Sequence, residues 1–308
     1  MEYIQSHYIH TVQYNGTYVV ALGKDISILT NNGELVAHRK DLKNPYKAAF
    51  ISDDIVIVEC HKLREYVALS LHDGSDVFRI NMPKFDLSSS EFYVSPDKRY
   101  VYDLAEVRCE TVLIQIDIEN RVSDVIELNI GLRVTLDLKA DHRGVLCMLQ
   151  THQEMIGDKL VNLCGVRYEY FDTALGIGSS YYWQSKWQFE HPRQAIAFGD
   201  DTYSIITSDL MLYDINQDIL EPWGKSDDIS VVPDYAPQVH KSFDGKYVVI
   251  SGATQTLIID IKRRQLVARY FTYHRHGCIV DDAFWQPTDK GILKKDFPII
   301  EKRGQGDG

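Results

Sequence analysis

At 308 residues, with 44% hydrophobic and 25% charged side chains, the chain has the composition of a globular protein with a real core, not of a disordered one. Its formal charge of −11, from 33 basic against 44 acidic residues, lacks the overall basic footprint of a nucleic-acid binder and of a protein drawn to anionic membranes. The five cysteines, Cys60, Cys109, Cys147, Cys164 and Cys278, are odd in number and contain no C-x-x-C, so neither a disulfide framework nor a zinc ligand set follows.

The start, MEYIQSHYIHTVQ, has no basic n-region and no apolar h-region, and no run approaches the ~18 to 20 apolar residues of a membrane span. A cytoplasmic protein is expected. From Tyr14 to Arg39, YNGTYVVALGKDISILTNNGELVAHR reads as strand, tight turn, strand, N-N-G turn, strand. The same order recurs in FISDDIVIVEC with YVALSLHDGSDVFRI, then in SPDKRYVYDL with VLIQIDI and ENRVSDVIEL. It continues in LKADHRGVLCMLQ with KLVNLCGV, and in FGDDTYSIITSDLMLYDINQDIL. It is plainest in SFDGKYVVISGATQTLIIDIKRRQLVARY (242–270), where Pro237 to Phe243 supplies a strand in front. The last copy is FWQPTDKGILKK with DFPIIEK.

Runs such as YVVIS and LIID do not alternate between apolar and polar, which implies strands covered on both faces, as when sheets stack. Taking Tyr18, Ile55, Tyr100, Val145, Tyr203, Tyr247 and Ile292 as markers, the spacings are 37, 45, 45, 58, 44 and 45 residues. A period of about 40 to 45 residues with four short strands per unit marks a propeller blade. The segment DGKYVVISGATQTLIIDIKRRQLVARY resembles the YVTN-type propeller repeat, and the wider pattern is similar to WD-repeats. Asp117, Asp214 and Asp260 match the aspartate that closes the third strand of WD-repeats, which implies a structural role. With no Trp-Asp or Gly-His dipeptide in the chain, the resemblance speaks for architecture.

The expected fold is therefore an all-β, seven-bladed propeller over residues 1–302, with a flexible tail at 303–308. The last unit lacks a fourth strand, and Tyr3 to Thr11 is expected to supply it as the outer strand. Two places invite chemistry. Tyr181, Tyr182, Trp183 and Trp187 lie in the 58-residue spacing and are residue types favoured in binding hot spots. His274 and His276, with Asp281 and Asp282, would lie at the channel rim; two histidines could share a metal, but no third ligand is indicated and a solvated loop is the simpler reading.

No G-x-S-x-G, H-E-x-x-H or Walker sequence is present, nor a G-x-G-x-x-G opening a helix. The expectation is a monomeric, non-catalytic protein-binding module without cofactor or metal, of the kind that serves complex assembly or toxin neutralisation. Relatives of this architecture include lactonases and other hydrolases, so a hydrolase with its site at the channel mouth is the rival. A small-ligand sensor is the third reading.

Overall fold

The computed structural model describes residues 8–88, 92–95, 97–108, 110–127, 134–140, 145–156, 158–172, 176–188, 195–198, 203–206, 212–216, 219–222, 238–252, 254–263 and 265–296. Of the described residues between 127 and 222, side chains are described at Met155 and Asp158 and the backbone alone elsewhere.

The first repeat folds as an antiparallel meander, β1 (Ile9–Tyr14), β2 (Tyr18–Gly23), β3 (Ile26–Thr30) and β4 (Leu35–Arg39). The second is β5 (Ala48–Phe50), β6 (Ile55–Cys60), β7 (Glu65–Ser70) and β8 (Asp76–Asn81). In the third, β9 (Leu87–Ser88) and β10 (Tyr93–Val94) both pair with β11 (Tyr100–Val107), followed by β12 (Glu110–Asp117) and β13 (Val122–Glu127). The fourth is β14 (Val134–Ala140), β15 (Val145–Ile156), β16 (Lys159–Asp172) and β17 (Gly176–Gln188). The fifth is β18 (Ala195–Phe198), β19 (Tyr203–Ile206), β20 (Leu212–Asn216) and β21 (Ile219–Pro222). The sixth is β22 (Gln238–Lys241), β23 (Tyr247–Ser251), β24 (Gln255–Asp260) and β25 (Gln265–Phe271). Three strands make the last, β26 (Cys278–Val280), β27 (Ala283–Thr288) and β28 (Gly291–Asp296). Among the described residues there are seven sheets and no helix, so none is long and apolar enough to cross a membrane.

Burial explains the missing alternation. The second and third strands β2, β3, β6, β7, β23 and β24 are buried along almost their whole length, whereas the fourth strands β4, β8 and β25 are largely open. The first, second and sixth sheets thus have two covered faces and one more open edge. Val20, Leu22 and Ile28 of the first sheet pack on Val56, Val58 and Leu69 of the second. Ile57, Tyr66 and Ile80 of the second pack on Val101 and Ile114 of the third. Val249 and Ile258 of the sixth pack on Ile279 and Phe284 of the last. The chain ends meet in the same way: Ile9, Val12, Val19 and Leu29 pack on Cys278, Val280, Trp285 and Ile292. First strands of successive sheets are neighbours, β5 with β10, β10 with β14, β14 with β18, β18 with β22, and β1 with β26.

The two clearest repeats share one turn between first and second strands. In SPDKRY, Ser95 Oγ donates to Asp97 Oδ1 (2.5 Å) and accepts from Tyr100 N (2.9 Å), while Arg99 N donates to Asp97 Oδ1 (3.1 Å). In SFDGKY, Ser242 Oγ donates to Asp244 Oδ1 (2.6 Å) and accepts from Tyr247 N (3.0 Å), while Lys246 N donates to Asp244 Oδ1 (3.1 Å). Lys98 and Gly245 hold equivalent left-handed positions, φ 57° and 69°. Glycine takes this conformation without strain and lysine does not.

Two sequence expectations need correction. Ile292 lies in β28, the third strand of its sheet; the second strand, β27, starts at Ala283 after the Asp281-Asp282 turn. Ile292 resembles a second-strand residue because β28 opens with a buried stretch, Gly291–Leu293, before its more exposed second half. Of the expected closing strand Tyr3–Thr11, Ile9–Thr11 belong to β1 and pair with β2, where Ile9 and Val12 fill the junction core. Tyr3–His7 lie outside the described residues, as do Phe297 onward and the expected tail at 303–308.

Candidate functional site

The 58-residue spacing is absorbed by strand length. β15, β16 and β17 run to 12, 14 and 13 residues, and no other strand among the described residues exceeds 8. β14 stops pairing at Val134↔Thr151, but β15 and β16 continue together from His152↔Leu163 to Ile156↔Lys159. At ~3.4 Å per residue this two-stranded ribbon projects roughly 15 Å past β14. Met155, near its tip, is 63% exposed, and Asp158 in the turn is exposed.

β17 is the last strand of this sheet and carries the expected aromatic segment. Tyr181 stands opposite Tyr168, Tyr182 opposite Arg167, Trp183 opposite Val166 and Trp187 opposite Cys164. The register shifts between Cys164 and Val166, so the stretch from Trp183 to Trp187 bulges against its partner strand. The side chains of these four aromatics lie outside what is described.

The second expected cluster is split by β26. Tyr273 and His274, with φ 40° and 52°, precede the strand, and both are exposed. His276 is only partly accessible, not fully solvated as expected of a loop, because its backbone is bonded to β1. Asp281 and Asp282 form the turn at the other end of the strand, about 10 Å away along it. Asp281 accepts from Tyr14 Oη (3.0 Å) and Asn31 Nδ2 (3.3 Å). Burial, then this hydrogen bond to Asp281, raises the Tyr14 pKa to about 12. The two histidines and the two aspartates therefore do not meet. Among the described residues, no three His, Cys, Asp or Glu side chains are grouped to hold a metal ion.

Asp117 and Asp260 each close a third strand. Asp117 accepts from Asn120 N (2.9 Å) and Asp260 from Arg263 N (2.7 Å), so each carboxylate ties down the turn into the fourth strand. The side chain of Asp214 lies outside what is described. Cys60 and Cys278 are free and buried, and burial pushes the Cys60 thiol up to about 12, well away from a reactive thiolate.

An ionic group that the repeat pattern did not single out lies between the second and third sheets. Lys47, just before β5, is buried with Glu59 of β6 and Asp103 of β11. Its ammonium sits 3.2 Å from Glu59 Oε2, bonds Asp103 Oδ1, and lies 4.9 Å from the centre of the Phe92 ring. Glu59 also meets His61 Nε2 at 3.2 Å. Burial and then the two carboxylates push the Tyr66 hydroxyl pKa up. The group is closed to solvent on the lysine side and ties two sheets together.

No protein-family model matches the chain, and no curated protein matches it in sequence. Its backbone is similar to hydrazine synthase of Kuenenia stuttgartiensis, with TM-score 0.63, 11% identity and 97% of each chain covered. It is similar to the Cps50 (Swd1) β-propeller domain of Myceliophteria thermophila, with TM-score 0.62, 12% identity and coverage of 96% of this chain and 99% of that one. It is also similar to the computationally designed Ika8 protein, with TM-score 0.57, 12% identity and coverage of 96% and 98%. At these identities the likeness concerns fold alone: the chain has the β-propeller architecture that its repeats resemble.

Proposed function

We propose that this chain is a non-catalytic, seven-bladed propeller that binds a protein partner through the edge of its fourth sheet. The observation that carries the reading is the length of β15–β17 in an otherwise short-stranded fold. A 13-residue outer strand holding Tyr181, Tyr182, Trp183 and Trp187 offers backbone donors and acceptors together with hot-spot residue types. The projecting ribbon supports it, since an isolated two-stranded hairpin is marginal in water and gains from a covering surface. The Swd1 domain, a β-propeller of similar backbone, makes a scaffold role compatible with the fold.

The expected outcome is that Trp183→Ala and Trp187→Ala each weaken partner capture by about 2 kcal/mol, roughly 30-fold, at an unchanged melting temperature. Quantitative capture with wild-type and variant baits checks this. Full binding by both variants, or loss of folding in both, assigns the indoles elsewhere.

Closure belongs to the same reading. The last sheet shows three strands among the described residues, and β1, which residues 1–7 precede in the sequence, lies against β26 and β27. We infer that residues 1–7 complete this sheet as its fourth strand. Deleting residues 1–7 is then expected to lower the melting temperature of the whole protein, because it opens an edge beside the chain-end junction. An unchanged melting curve contradicts the inference.

A further inference from the structure

The junction of the first and last sheets gathers histidines from three separate elements. His10 lies in β1, His240 in β22, and His274 and His276 in the segment before β26. The backbone is knitted at the same place. His276 N donates to His10 O (2.8 Å) and Val12 N donates to His276 O (2.8 Å), giving an isolated parallel bridge at Thr11↔His276. These bonds join the two ends of the described chain.

The surroundings suit neutral imidazoles. His10 Nε2 is 3.2 Å from the Pro45 carbonyl, which only accepts, so Nε2 carries the proton. His10 Nδ1 is 2.8 Å from Thr11 Oγ1 and accepts from that hydroxyl. A second proton on His10 turns Nδ1 into a donor, so the Thr11 hydroxyl must rotate from donating to accepting. His276 Nδ1 is buried and has no hydrogen-bond partner. The charged or titratable groups acting on His276 are His240, His10 and His274, and the one acting on His10 is Arg275. Arg275 is itself paired with the exposed Asp289 and faces the Tyr8 ring. Among the described residues, the groups that shift these two imidazoles include no carboxylate.

We propose that this junction is an acid-released latch, in which protonation of His10 and His276 parts β1 from the 273–277 segment and loosens the first sheet from the last. Burial, with the neighbouring histidines, holds the His276 pKa down at about 3, and burial lowers that of His10. Between about 3 and the ordinary imidazole value of 6.5, the closed junction binds fewer protons than the open one. Closure is therefore strongest above pH 6.5 and weakens as the pH falls below it. Over that range His276, on regaining its ordinary pKa, favours opening by about tenfold per pH unit, and His10 adds to it in the same direction.

The test is amide hydrogen exchange of the full-length protein at pH 7.5 and 5.0, corrected for the intrinsic pH dependence of exchange. Peptides carrying Val12 and His276 are expected to lose at least about 30-fold in protection at pH 5.0, while peptides from β6 and β7 hold theirs. In His276→Phe, which keeps a ring of similar size without the titrating nitrogens, the pH-dependent part contributed by that residue disappears. Equal protection of Val12 and His276 at both pH values in the wild type overturns the proposal, whether or not the variant folds. An undiminished pH response in a folded His276→Phe, His10→Gln double variant overturns it as well.

Discussion

Replacing Lys47 by methionine is expected to destabilise the protein by about 3 to 5 kcal/mol, seen as a large drop in melting temperature. The ammonium is 2% exposed and stands between two fully buried carboxylates. Methionine fills much of the volume but takes away the ammonium that Glu59 and Asp103 share. Two buried carboxylates that lose their shared ammonium account for the size of the effect. Adding Glu59→Gln and Asp103→Asn to Lys47→Met is expected to recover most of the loss, because the repulsion goes with the charges. A Lys47→Met protein that melts with the wild type shows that the group is not what joins the second and third sheets.

Trp285→Ala is the second large effect, at about 3 to 5 kcal/mol. Trp285 is 1% exposed in the core that joins the first and last sheets, packed with Ile9, Val12, Val19, Cys278 and Ile292. Truncation removes the largest buried side chain of that junction and leaves a cavity between two sheets that cannot collapse without moving the chain ends. Trp285→Phe is expected to lose far less. The indole Nε1 is buried without a hydrogen-bond partner, so phenylalanine gives up packing area but no polar contact. Denaturation of both variants checks the pair; equal loss in the two means that the indole nitrogen matters more than the packing.

The strand order was legible in the chain because each repeat carries its own punctuation. SPDKRY and SFDGKY encode the same serine–aspartate turn, and the continuous apolar runs after them signal strands buried on both faces. The last sheet was misread at Ile292 since β27, AFWQPT, is interrupted by a glutamine and a proline, whereas β28 opens, after Gly291, with the apolar pair Ile292-Leu293. The 58-residue spacing was visible as an excess, but period alone does not say whether extra residues make a loop or lengthen strands; here they lengthen three strands. Contacts between distant repeats left weaker traces. Glu59 in IVIVEC and Asp103 in YVYDLA are single acids inside apolar runs, which is a signal of a buried, partnered charge. That Lys47 is the common partner depends on how neighbouring sheets stack. His10 and His276 were likewise 266 positions apart in sequence and one backbone bridge apart in space.

The central claim is that a partner covers the outer edge of the fourth sheet, and amide hydrogen exchange on the purified complex tests it most directly. Protection gained on binding is expected along 176–188, and along 152–163 where the ribbon projects, with the other outer strands β4, β8 and β25 unchanged. A footprint confined to the Asp281-Asp282 turn or the Tyr273–His276 segment, with β17 exchanging as in the free protein, contradicts it.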